Sequence, residues 1–291
     1  MFLCRNNGGK TIKREVICMA KEKLTTNRIL LRLGIVSIVG IIIWNGLGYI
    51  TDFLLGDTIG RIHRLLIALI TTILTVALLE VARRIDKLSW KQLGVKSVRT
   101  NFCLFSLGFF LWLIPAAIGV IICITFGWVE ITLHSNWDVL IVSLLLLIIT
   151  VFFMEALPEE LMFRGYMYRY LHILFPHWAT VLLQASLFTL FAYFVGALYS
   201  VEQIQFIPGF ALILGYIRSV SGNVWTSIGF HVAIMTAFQI LSPLHQHVDV
   251  SGMFALKFFA FILLPSTIGA IALGFIYPNH KWSKKAFMPS L

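Results

Sequence analysis

Eight runs of apolar residues, each long enough to cross a bilayer, fall at about 30–50, 64–82, 101–127, 139–157, 178–199, 203–220, 222–242 and 255–277. A helix rises about 1.5 Å per residue, so about 20 residues span the hydrocarbon core. In lipid every backbone amide must find its partner within the chain, which leaves helices for segments of this length. The expected fold is all-α and polytopic, with about eight transmembrane helices over 30–277. A basic N-terminus (1–29) and a short tail (278–291) flank it. Composition agrees, since 59% of the 291 residues are hydrophobic and 12% charged, about half the charge that coats a water-soluble domain. The mean hydropathy is +0.89. The connections are too short for a separate soluble domain, which excludes a receptor with an extramembrane head. Gln203, Gln205, Pro208 and Arg218 dilute the run at 203–220 more than any other.

Lys and Arg outnumber Asp and Glu by 23 to 13. In a soluble chain that excess would raise nucleic-acid binding; here its distribution explains it as topology. If the runs alternate across the membrane, 20 of the 23 basic residues fall on one side, in the N-terminus, the 83–100 and 160–177 connections, the 218–223 turn and the tail. Only Arg61, Arg64 and Lys257 fall on the other. The positive-inside rule then puts both termini in the cytoplasm, as an even number of spans requires, and no nucleic-acid partner is expected. The first 29 residues show no signal-peptide cleavage site, and Met19-Ala-Lys-Glu-Lys reads like an alternative start. Cys4, Cys18, Cys103 and Cys123 imply no disulfide framework.

Ionisable side chains at membrane depth are costly and therefore mark function. The densest set is Glu155-Ala156-Leu157-Pro158-Glu159-Glu160-Leu161-Met162-Phe163-Arg164. Glu155 and Glu159 are four apart and share a helix face. Glu160 and Arg164 are also four apart, in the favourable acid-first order. Adjacent glutamates point about 100° apart, so one can face a cavity while the other pairs with the arginine. Pro158 removes a helical hydrogen bond just before them and is expected to kink the span. The other deep group is His231, in the seventh run. A carboxylate and an imidazole together are able to bind or activate a water.

Glu159-Glu160-Leu161-Met162-Phe163-Arg164 matches an EExxxR motif, and the stretch from about 135 to 242 resembles the CPBP family of intramembrane proteases. That family comprises the type II CAAX prenyl endopeptidases and the bacteriocin-processing Abi proteins. Phe188-Thr189-Leu190-Phe191-Ala192 resembles its second motif, FxxxH, and His231-Val232-Ala233-Ile234-Met235 its third, HxxxN. The resemblance implies an integral protein of a bacterial cell membrane, with a peptide or membrane-protein substrate and a site built from the fourth, fifth and seventh spans. It implies catalysis by Glu159 as general base and His231 as polarising or ligand group. Glu160 belongs to the catalytic set as well, with Arg164 supporting it, and a divalent metal such as zinc is the implied cofactor. Glu159 and His231 are then the only candidate metal ligands.

Two positions depart from the pattern: Ala192 stands where the family has its motif-two histidine, and Met235 where it has asparagine. Neither side chain accepts a proton or ligates a hard metal. His172 and His177, which follow the first motif, and Tyr193, which adjoins the vacant position, are the candidates to substitute for the missing histidine. His245 and His247 beside Asp249 have a spacing that suits a metal but fall in a loop on the opposite side. Two functions follow: an intramembrane endopeptidase, or a catalytically inactive pseudoprotease that binds a membrane partner or gives bacteriocin immunity. A small-solute transporter carrying protons on Glu155 and Glu159 is a third class, but the chain has no internal repeat to support it.

Overall fold

The computed structural model describes residues 26–55, 61–241 and 247–285. Within them run eight long helices: α1 (Thr26–Leu55), α2 (Arg61–Ile85), α3 (Val98–Thr125), α4 (Trp137–Leu174), α5 (His177–Phe194), α6 (Val201–Ser221), α7 (Val224–Ile240) and α8 (Met253–Ile276). The protein is thus an all-α polytopic membrane protein. Seven of these helices are long and apolar enough to cross a membrane, while α7, at 17 residues, is shorter. Its length matters less because most of it is buried, so protein rather than lipid meets its surface. Most of the expected basic N-terminus, including Met19, the end of the tail and His245 lie outside the described residues.

The centre of the bundle is the crossing of α3 and α7. A Cβ on Gly108 would stand 1.9 Å from the Thr226 carbonyl oxygen, and one on Gly229 would stand 2.0 Å from that of Phe105. Glycine at both positions lets the two backbones touch, which is how apolar helices gain packing energy where lipid supplies no hydrophobic drive. Trp112 of α3 donates its indole N–H to the Phe261 carbonyl of α8, 2.9 Å away, within the π-helical stretch Leu256–Leu263.

Helix α4 runs well past residue 157, where its apolar run ends, and carries two π-helical stretches, Phe152–Ala156 and Leu161–Met167. The Leu157 N–H bonds to the Phe152 carbonyl, the five-residue step of a π turn. Pro158 comes next in that register and has no N–H to offer the Phe153 carbonyl. The Thr72 hydroxyl of α2 donates to that carbonyl instead. The expected disturbance at Pro158 is therefore taken up by a π turn, a feature that recurs at functional sites. The helix stops at Phe175, whose extended backbone suits the residue before Pro176.

One end of the bundle gathers the basic connections. Arg32 at the start of α1 pairs with Asp86 at 2.7 Å, and Asp86 also accepts from the hydroxyls of Tyr166 and Tyr170. The segment after α8 folds back to the same end, where the His177 N–H bonds to the Lys284 carbonyl. At the opposite end two short antiparallel strands, β1 (Glu130–Leu133) and β2 (Val248–Ser251), pair Glu130 with Ser251 through Leu133 with Val248. Hydropathy gave no sign of these strands. They lie in connections between helices, outside the spans where an open edge would be costly.

Candidate active site

Arg164, Glu160 and His231 form a buried chain of contacts. Glu160 and Arg164 are 0% exposed and His231 1%. Arg164 Nη1 lies 3.0 Å from Glu160 Oε1, and His231 Nδ1 lies 3.0 Å from the same oxygen. The arginine is held by its own surroundings: Nη2 donates to the Ala211 carbonyl of α6 at 3.3 Å, and the guanidinium stacks 4.5 Å over the Phe188 ring of α5. Phe210 of α6 meets the His231 ring edge-to-face at 4.8 Å. An ionised carboxylate only accepts hydrogen bonds, so this contact assigns the proton to Nδ1 and leaves Nε2 of the neutral ring as the acceptor. Glu160 thus does more than shape the helix through Arg164, because it fixes the imidazole's orientation and tautomer.

Glu159 takes no part in those contacts. It is half-buried and makes no hydrogen bond or ion pair among the described residues, though it lies within electrostatic reach of Glu155, Glu160 and Arg164. Glu155, on the first π stretch, accepts a hydrogen bond from the Gln239 amide of α7 at 2.7 Å and lies within electrostatic reach of His231. Helices α4 and α7 run antiparallel and are joined by two polar links, Glu160 to His231 and Glu155 to Gln239. Met235 sits between them in sequence on α7. Gln239, Phe210 and the Ala211 carbonyl were not singled out from sequence, since nothing local reveals that Arg164 will meet a residue 47 positions away or Glu155 one 84 positions away.

Ala192 is buried, at 4% exposure, one helical turn beyond Phe188 on the α5 face that carries the Arg164 stack. The adjoining Tyr193 is 64% exposed and points outward, so it does not fill the histidine position. His172 and His177 stack on each other at 3.8 Å, and His177 also bonds to the Tyr168 hydroxyl at 2.6 Å. That engages them at the end of α4, and their contacts are with Phe175, Tyr168 and His280 rather than the glutamates. At the opposite end His247 is buried rather than solvated and bonds to Ser135 at 2.7 Å, while Asp249 pairs with His134 at 2.7 Å.

A structural or catalytic zinc takes three or four Cys, His, Asp or Glu ligands. Among the described residues no group of three such side chains is placed to hold a metal. Glu160 Oε1 is committed to Arg164 and His231, and alanine occupies the position of the missing histidine. The residues present do not fit a zinc centre, so the chemistry of the site is derived from the side chains alone.

A polytopic helical bundle with a buried glutamate, histidine and arginine on adjoining spans defines a class of membrane protein with an intramembrane site. Residues 141–237, about a third of the chain, match the family described as type II CAAX prenyl endopeptidase, Rce1-like. The match runs from α4 to α7 and includes every side chain of the buried chain of contacts. No curated protein matches the chain.

Proposed function

We propose that the protein is an intramembrane endopeptidase of the CAAX type, acting on a peptide or membrane-protein segment that enters from the cytoplasmic side of a bacterial cell membrane. The observation that carries this reading is the ordered contact from Arg164 through Glu160 to His231. Glu160 holds His231 so that Nε2 can accept a hydrogen bond from a water, as a buried carboxylate orients a catalytic imidazole in hydrolases. Glu159, which makes no hydrogen bond or ion pair among the described residues, takes the proton as that water attacks the scissile carbonyl carbon. The same carboxyl then returns the proton to the departing amide nitrogen when the C–N bond breaks. No step passes through a metal. In this reading His231 acts as a water-orienting acceptor.

Ala192 and Met235 favour the second reading, a pseudoprotease that binds its partner without cleaving it. One experiment separates the two: purified protein in detergent is incubated with candidate membrane peptides beside a Glu159→Gln variant. Cleavage that Glu159→Gln abolishes supports the peptidase. If the natural chain cleaves nothing while Ala192→His with Met235→Asn does, the pseudoprotease reading replaces it.

A further inference from the structure

The Glu155–Gln239 link has no role in the water-activating step, and its position suggests one of its own. Along α4, Glu155 precedes Glu159 by four residues, about 6 Å; along α7, Gln239 follows His231 by eight, about 12 Å. The link therefore lies roughly 10 Å from the catalytic pair, farther from the basic end of the bundle. An extended peptide advances about 3.3 Å per residue, so a substrate with its scissile bond at Glu159 and His231 would bring a side chain about three residues away against Glu155.

The chemistry of this second link selects its ligand. Arg164 lies against Glu160, whereas Glu155 and Glu159 make no ion pair among the described residues. The Glu155 carboxylate offers about four acceptor positions, and Gln239 occupies one, at 2.7 Å. The amide also anchors the carboxylate, so a ligand meets a positioned group. One turn before Gln239 stands Thr236, a buried residue whose hydroxyl has no partner among the described residues. At membrane depth an uncompensated carboxylate is costly. A cation delivered by the substrate would offset that cost only when bound, which makes charge a strong discriminator here.

We propose that Glu155, positioned by Gln239, forms a substrate subsite for a basic side chain, lysine or arginine, about three residues from the scissile bond. The proposal rests on the peptidase reading for its register, and binding tests it without cleavage. The probes are a synthetic apolar peptide with one central lysine, its norleucine counterpart of equal length without charge, and its glutamate counterpart. Binding to the purified protein in the Glu159→Gln background is followed by fluorescence anisotropy.

The lysine peptide is expected to bind roughly tenfold tighter than the norleucine peptide, with the glutamate peptide weakest. Glu155→Gln should erase the preference, Gln239→Leu should reduce it, and Glu155→Lys should invert it toward glutamate. Equal binding of lysine and norleucine peptides to the parent, or a preference that survives Glu155→Gln, overturns the subsite. The lysine-to-norleucine comparison needs no Glu155 variant and stands even if one fails to fold. Failure of the peptidase reading looks different: the preference follows Glu155, but the natural chain leaves the lysine peptide intact.

Discussion

At the scale of single residues, one oxygen, Glu160 Oε1, receives both Arg164 and His231. Removing the arginine takes the guanidinium away from a buried carboxylate. Arg164→Ala should therefore destabilise the protein by about 3–5 kcal/mol, the usual cost of an unpartnered buried charge. Adding Glu160→Gln should recover part of that loss while leaving the site inactive, because the amide no longer fixes the imidazole. Thermal unfolding and yield of the single and double variants in detergent measure this; a fully stable Arg164→Ala refutes the pairing as a source of stability. The Glu160–Arg164 contact was legible in sequence because it is an i,i+4 pair on one helix. The Glu160–His231 contact was not, since two adjacent glutamates give no local sign of which will face a helix 71 positions away.

At the scale of elements, the apolar runs located the helices because lipid makes hydropathy and helix nearly synonymous. They hid how the helices cross and how α4 bends. Gly108 and Gly229 look like ordinary small residues in sequence, yet each is where another backbone passes. Gly229→Val should push α7 off α3 and displace His231, two positions on. Its expected signature is lost yield or lost activity without a change at any charged residue, and an active, fully stable Gly229→Val would show the crossing to be looser than described. A second element-scale contact is the clasp that holds the segment after α8. His280 lies 4.7 Å from the His177 ring, 4.7 Å from the Trp282 ring and 3.3 Å from the Ser219 hydroxyl. His172, Arg169, Arg218 and Lys284 also face this cluster. Burial lowers the pKa of His280, so the clasp binds fewer protons than the released segment. Its stability is full above the ordinary histidine value of about 6.5 and declines as pH falls below it. Tryptophan fluorescence of Trp282, stacked on Tyr216 at 5.4 Å, should change reversibly over that range. His280→Phe should shrink the change, leaving the share of the stacked His172 and His177, and a signal flat from pH 7 to 4 counts against the clasp.

At the scale of the whole molecule, charge and geometry converge on one sidedness. The structure brings the start of α1, the end of α2, the end of α4, the α6–α7 turn and the segment after α8 to a single end. Arg32, Arg83, Arg84, Arg164, Arg169, Arg218 and Lys284 belong to those same stretches. The β1–β2 ladder closes the other end with Glu130 and Asp249 and no lysine or arginine of its own. Moving this many cations across a membrane opposes the positive-inside bias, so the expected orientation has the basic end in the cytoplasm, and under the proposed function substrate approaches Glu159 and His231 from there. His231 lies seven residues into α7, about 10 Å from the helix start, within reach of a peptide entering at that end. Reporter fusions at residue 291 and after Ser251 should give opposite signals, with the one at 291 cytoplasmic. Identical signals would break the alternation of the eight helices, and a non-cytoplasmic signal at 291 would turn the site toward the opposite compartment and with it the class of substrate that can reach it.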